Sequence, residues 1–376
     1  MRLLAAILLL LASSASAETL RVATYNASLN RAGPGVLLKD LRAGDEPQIA
    51  AVAEVIRTAR PDILLLNEID YDGGLMALTA LRDMLRNGEA GVDYPYIFAA
   101  PSNTGEPSGL DLDGDGKATG PGDAWGYGNF PGQYGMAVLS RYPIDAEATR
   151  TFRTFRWADL EGALLPVRAD GEPFPSEAAH DAMRLSSKSH WDVAIETQDG
   201  PLHLLASHPT PPVFDGPEDH NGRRNHDEIR FWIDYIDGWT PLDDQDRAAP
   251  IADAPFVLLG DLNADPADGD GLRDIVAQLL AHPAVQDPAP ASRGAEAAGA
   301  VQGGANPGHA GRAALDTADW RDEGGPGNLR VDYALPAASL TVEGAGVHWP
   351  APDEPGHEPA ARASDHRLVW VDINLP

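Results

Sequence analysis

The apolar run Phe256-Val257-Leu258-Leu259 stops at Gly260, and the chain continues Asp261-Leu262-Asn263-Ala264-Asp265-Pro266. Such a run reads as a buried strand with polar chemistry at its C-terminal end. The same pattern recurs. Val22-Ala23-Thr24-Tyr25 runs into Asn26, Ile63-Leu64-Leu65-Leu66-Asn67 into Glu68, and Leu204-Leu205-Ala206-Ser207 into His208. Asp332 lies within Leu329-Arg330-Val331-Asp332-Tyr333, and Ser364-Asp365-His366 precedes a last apolar segment. In extended backbone Asp261 and Asn263 point to one side, an acceptor and a donor with no packing role. An Asp/Asn turn after a strand reads equally well for these residues alone. Each of the other polar ends, taken singly, also has a plain explanation as a cap, a turn or a solvated side chain.

Periodicity predicts strands over Thr19–Tyr25, Asp62–Asn67, Tyr134–Ser140, Trp191–Thr197, Leu202–Ser207, Val331–Leu335 and Leu368–Ile373. The Asp199-Gly200 pair marks a hairpin turn. Helical spacing covers Gln48–Arg60, closed by Pro61, together with Leu75–Leu85 and Ile229–Ile236. Loose alternation with hairpin-paired strands predicts an α/β sandwich of mixed sheets rather than a purely parallel doubly wound fold. Three segments rich in Gly, Pro, Ala and Asp, roughly 102–132, 156–183 and 287–328, read as long inserts.

The first 17 residues stand apart from this pattern. Arg2 precedes the apolar stretch Leu3 to Leu11, and Ala15-Ser16-Ala17 forms a small-x-small cleavage signal before Glu18. This predicts a signal peptide cut near Ala17 and a protein secreted to the periplasm or beyond, since the stretch is too short to span a bilayer. No other segment predicts a transmembrane span. The chain has no cysteine, which excludes disulfides and thiolate chemistry. Its formal charge is -29, and Lys39, Lys117 and Lys188 are its only lysines. That balance disfavours an extended grip on nucleic acid, although high-salt adaptation or solubility accounts for it equally.

The order Asn26, Glu68, His208, Asp261-Asn263, Asp332, Asp365-His366 resembles that of the endonuclease/exonuclease/phosphatase superfamily. The strongest pieces are Leu66-Asn67-Glu68-Ile69, Gly260-Asp261-Leu262-Asn263 and Ser364-Asp365-His366. The resemblance implies a deoxyribonuclease-I-like fold: a four-layered α/β sandwich of two mixed β-sheets flanked by helices, formed as one domain over residues 18–376. It implies a metal-dependent hydrolase of phosphoric ester bonds, working by in-line attack of water. Asn26, Glu68 and Asp365 would hold Mg²⁺ or Mn²⁺. Asp261 and Asn263 would orient the water and the transition-state oxygens. His366, held by Asp332, would be the general base or a phosphate contact, and His208 would steady the phosphoryl group or protonate the leaving group. Pancreatic-type deoxyribonucleases carry a glutamate just before the strand corresponding to Tyr134–Ser140. Here the stretch reads Pro131-Gly132-Gln133-Tyr134, so His208 needs another partner, which counts against a simple deoxyribonuclease.

Three further groups belong to the reading. Asp111, Asp113 and Asp115, followed by Gly116, have the opening spacing of a Ca²⁺ loop, but Gly122 and not Glu stands at the twelfth position, with Asp123 next. A structural Ca²⁺ site and a solvated acidic loop are both open. Asn225 as a helix cap would leave Arg223 and Arg224 at a positive helix end, a phosphate site, or else an ordinary cap with solvated arginines. Lys188 and Arg184 offer further phosphate contacts or a charged strand edge, and Trp125, Tyr127 and Phe130 either wall a pocket or pack their loop. The first functional reading is therefore a secreted phosphoesterase, acting as a monomer on small or lipid-derived phosphodiesters. An extracellular nuclease is the second, and a non-catalytic calcium-binding surface module the third.

Overall fold

The computed structural model describes residues 18–376 except Glu89 and Asp253, so the predicted leader lies outside the described residues. The strands, in chain order, are β1 (Leu20–Leu29), β2 (Ile63–Ile69), β3 (Tyr96–Phe98), β4 (Gly135–Ser140), β5 (Ile144–Thr151), β6 (His190–Thr197), β7 (Gly200–Ser207), β8 (Phe256–Asp261), β9 (Ala318–Asp319), β10 (Asn328–Leu329), β11 (Asp332–Pro336), β12 (Thr341–Val347) and β13 (Val369–Asn374). The helices are α1 (Val36–Ala43), α2 (Pro47–Ala59), α3 (Met76–Arg86), α4 (Glu177–Ala182), α5 (His220–Ile236), α6 (Arg273–Leu280), α7 (Arg293–Val301) and α8 (His357–Ala363).

Two sheets face each other. One is six-stranded in the order β12-β13-β1-β2-β4-β3, the other five-stranded in the order β11-β8-β7-β6-β5, and β9 and β10 form a separate ribbon. Both large sheets are mixed. β1 pairs parallel with β2 and β7 parallel with β8, while the remaining pairs are antiparallel. Strand alternation sorts the apolar side chains. Val22, Ile63, Leu65 and Val138 enter the core shared with the second sheet, and Ala23, Tyr25, Leu64 and Leu66 pack outward against α2 and α3. On the second sheet's side, Phe231 and Trp232 of α5 and Ile275 and Leu279 of α6 complete the core. The result is the four-layered α/β sandwich expected.

Local chemistry explains most boundaries. α2 starts on Pro47, which has no N–H to satisfy, buries Ile49, Val52 and Ile56, and ends where Arg60 turns left-handed ahead of Pro61. α5 differs from expectation. It begins at His220, nine residues ahead of the predicted start, so Asn225 lies inside the helix and does not cap it. The inserts are also ordered. Residues 102–132 form no regular element but are tied by bridges Thr104–Gly126 and Pro107–Ala124, 156–183 holds α4, and 287–328 holds α7 and the β9–β10 ribbon.

Candidate active site

β1 carries Asn26 on the face that looks toward the second sheet, two residues beyond Thr24 and fully buried. Simple alternation would send Glu68 the other way, with Leu64 and Leu66. A bulge prevents this. The β2–β4 register shifts between Asn67 and Ile69, Glu68 adopts a left-handed φ of 59°, and Ile69 takes the outward core position instead. The Glu68 carboxylate then accepts hydrogen bonds from Asn26 Nδ2 at 3.1 Å and Asn30 Nδ2 at 2.8 Å.

In the second sheet, a Cβ at Gly260 (φ 150°) would sit 1.9 Å from the Ser207 carbonyl oxygen. Only glycine allows β7 and β8 to close to this distance. The close approach brings His208 Nε2 to 3.4 Å from Asp261 Oδ2, the oxygen that also accepts from Asn26 Nδ2 at 3.0 Å. Asp261 therefore joins the two sheets. Its other oxygen accepts from the Asn263 N–H at 2.9 Å. Asn263 itself is left-handed (φ 51°) and donates to the Pro209 carbonyl at 3.1 Å. Its placement thus comes from a turn and not from strand alternation.

The β8–β11 register sets Asp332 directly across from Asp261. His366 stands over both, with Nδ1 2.9 Å from Asp332 Oδ2 and Nε2 3.7 Å from Asp261 Oδ2. Burial opposes the imidazolium, but the two carboxylates outweigh it and push the His366 pKa up to about 10. Burial raises the Asp261 carboxyl to about 6. His208 goes the opposite way: burial, with Lys188 and His366 as neighbouring cations, holds it neutral. Its Nδ1 has no hydrogen-bond partner among the described residues. The side chain of Gln133 is engaged elsewhere, accepting from the Asn129 N–H and donating to the Arg31 carbonyl.

Asp365 is exposed and accepts from Ser28 Oγ at 3.1 Å, while Ser364 Oγ ties the same segment to the Asn26 carbonyl at 2.8 Å. Lys188 is buried, and Nζ makes one long contact, 3.5 Å, to the Pro209 carbonyl. Burial lowers its pKa against the pull of Glu228, Glu68 and Asp261. The two arginines behave otherwise. Arg224 is buried and donates through Nε and Nη2 to the carbonyls of Leu185, Trp125, Arg184 and Ser186. Arg223 donates to the Glu218 carbonyl and touches none of the gathered residues. Arg184 is held by Asn103 and Glu106 and stacks over Trp125, so both pack the first insert, as does buried Phe130; Tyr127 is exposed.

Asp111, Asp113 and Asp115 bring carboxylate oxygens within 4.8 Å of one another, but Lys117 Nζ lies 2.9 Å from Asp115. Asp123, buried, accepts from the Leu112 N–H. Three site residues escaped the sequence reading: Ser28, Asn30 and Trp320, whose ring stands edge-on to His366. None ends an apolar run.

The donor set suits a hard divalent cation. Glu68, Asp261, Asp332 and Asp365 gather four carboxylates around His366, and among the described residues Asp332 Oδ1 is buried without a partner. Asp261, Asp332 and His366 also lie within ligand distance of one another. Beside that group, Asn26 Nδ2 bridges the carboxylates of Glu68 and Asp261, which offer further oxygen ligands.

A sandwich of two mixed sheets with such a carboxylate–histidine group at its edge defines a metal-assisted hydrolase of phosphate esters. The endonuclease/exonuclease/phosphatase family profile matches residues 23–366, and the chain belongs to that family, whose members are metal-dependent phosphoester hydrolases. Among solved structures it is similar to an endonuclease/exonuclease/phosphatase from Beutenbergia cavernae DSM 12333, at 20% identity and a TM-score of 0.52, covering 95% of this chain and 72% of that one. It is also similar to a family protein from Leptotrichia buccalis C-1013-b, at 14% identity and a TM-score of 0.50, covering 95% of this chain and 100% of that one. These likenesses establish the fold. No curated protein matches the sequence.

Proposed function

We propose that the protein is a secreted, metal-dependent phosphodiesterase acting on small or lipid-derived esters. The observation that carries this reading is the convergence of Asn26 and Glu68 from one sheet on His208, Asp261, Asp332 and His366, with the two histidines driven to opposite charge states. Glu68 and Asn26, with Asp365, would hold Mg²⁺ or Mn²⁺, and when bound the cation supplies Lewis-acid polarisation of a phosphoryl oxygen. Asp261 orients the attacking water and accepts its proton, a role that suits a carboxyl raised to about 6. Asn263 steadies the transition-state oxygens beside it. As an imidazolium, His366 acts as a phosphate contact and not as a base; Asp332 sets its tautomer. His208, neutral and without a carboxylate behind Nδ1, fits a donor to the phosphoryl group better than a proton source for the leaving oxygen. Lys188 has ammonium protons free for a phosphate oxygen.

Two observations favour small esters over DNA: the -29 charge, and Gln133 standing where a glutamate would back His208. The test is an assay panel with Mg²⁺, Mn²⁺ and Ca²⁺ on bis-p-nitrophenyl phosphate, p-nitrophenyl phosphate, plasmid DNA and sphingomyelin. Turnover of the diesters ahead of the monoester is expected. Rapid plasmid cleavage with little small-ester turnover overturns the reading. Export is tested by the mass of the mature protein, which should begin at Glu18; a retained leader refutes it.

A further inference from the structure

The third insert grips the site from behind. Residues 317–319 run antiparallel to 365–367: Ala318 bridges His366, the Asp319 N–H donates to the Asp365 carbonyl at 2.8 Å, and the Arg367 N–H donates to the Thr317 carbonyl at 2.8 Å. Arg367 Nη2 adds an ion pair to Asp319 at 2.9 Å. Thr317 Oγ1 accepts the N–H groups of Val331 and Asp332, at 3.0 and 2.9 Å. One short segment therefore holds the backbone of both His366 and Asp332. The next residue, Trp320, is part-buried against Ala318, Leu329 and Val331, with its ring centroid 5.3 Å from that of His366 at an interplanar angle of 84°.

A single hydrogen bond from Nδ1 to Asp332 fixes one point of the imidazole but does not by itself set the ring plane. Asp261, at 3.7 Å, is beyond hydrogen-bond range and adds no second fixed point. The indole supplies one, because edge-to-face aromatic contact has a preferred geometry. We propose, on the reading of His366 given above, that Trp320 is a positioning residue. It fixes the ring plane of His366 so that Nε2 faces the phosphoryl group, and its open surface forms an apolar wall of the pocket.

The test is steady-state kinetics on bis-p-nitrophenyl phosphate with Mn²⁺ for wild type, Trp320→Ala, Trp320→Phe, His366→Ala and the double variant Trp320→Ala/His366→Ala. Misplacing a contact group by about 1 Å costs on the order of 100-fold, so Trp320→Ala should lower kcat by about 10- to 100-fold and leave KM within about threefold. Trp320→Phe, which keeps a ring, should recover most of that loss. In the double variant the Trp320→Ala loss should vanish, because its target is gone. If Trp320→Ala keeps wild-type kcat while His366→Ala is dead, positioning by Trp320 is overturned and the role of His366 stands. Equal activity of His366→Ala and wild type overturns the functional reading itself. A loss in Trp320→Ala that persists undiminished on the His366→Ala background, or that Phe fails to rescue, means the indole acts only on the fold.

Discussion

The left-handed backbone at Glu68 makes a prediction that can be worked through in energy. With φ 59°, any residue with a Cβ is strained there, and the bulge holds the strain in place. Left-handed backbone costs an L-residue about 1–2 kcal/mol, whereas glycine ordinarily costs about 0.5–1 kcal/mol in unfolded-state entropy. Replacing Glu68 by Gly should therefore give a protein more stable than replacing it by Ala, by about 0.5–1 kcal/mol. The same pair at Glu196, exposed on β6 with no positive φ, should show the opposite order. Urea unfolding followed by linear extrapolation measures both differences with a common slope. The two Glu68 variants lack the carboxylate equally, so both should be inactive to the same degree while differing in stability. A Glu68→Ala variant as stable as Glu68→Gly, or more so, would refute the claim that the site stores backbone strain to turn Glu68 inward.

Gly260→Ala should destabilise by more than about 3 kcal/mol, since its methyl cannot stay 1.9 Å from the Ser207 oxygen without parting β7 from β8; a melting temperature near wild type contradicts this. His190, buried between Ser186 Oγ and the Glu228 carbonyl, has its pKa lowered to about 4 by burial, so its contribution to stability is present above pH 6.5 and lost as pH falls toward 4. That amounts to about 3 kcal/mol, so wild type should lose more stability than His190→Asn across this range, and parallel curves would disprove it. If Asp111, Asp113 and Asp115 bind Ca²⁺, EGTA should lower the melting temperature of wild type but not of Asp113→Ala; an unchanged wild-type curve rules the site out. At fixed Mg²⁺, any plasmid cleavage should hold or rise between about 50 and 200 mM salt, because screening relieves repulsion between two polyanions; a steep fall would reveal a basic DNA grip.

The strands were readable because most are buried on both faces, so apolar runs such as Ile63–Leu66 and Phe256–Leu259 carry no polar interruption. α5 shows the reverse. Its first half buries Arg224, Asn225, Asp227 and Glu228 as polar groups, which erases the apolar period, and a helix becomes visible only from Ile229. The cations near the site failed for a related reason. Lys188 and Arg224 look alike as phosphate ligands in sequence, and only tertiary structure shows Arg224 giving Nε and Nη2 to four carbonyls while Lys188 Nζ makes one long contact. β12, an edge strand with Gly344 and Gly346, and β5, half exposed, lack the pattern that marks buried strands. The bulge at Glu68 had no signal at all, yet the strand-end reading found Glu68, because an acid after Leu64-Leu65-Leu66 is conspicuous wherever it points.

Topology explains why those polar residues occur at strand ends in one place and strand starts in another. Parallel neighbours finish on the same edge, so β1 with β2, and β7 with β8, deliver Asn26, Glu68, His208 and Asp261 at their C-terminal ends. β11 runs antiparallel to β8, and β13 antiparallel to β1, so the same edge receives the start of β11 and the residues before β13. Asp332 opens β11 and His366 precedes β13. Residues serving only as caps or turns would have no reason to switch from ends to starts just where the strand direction reverses. The switch follows from a shared destination, with Asp261 as the residue that both sheets reach.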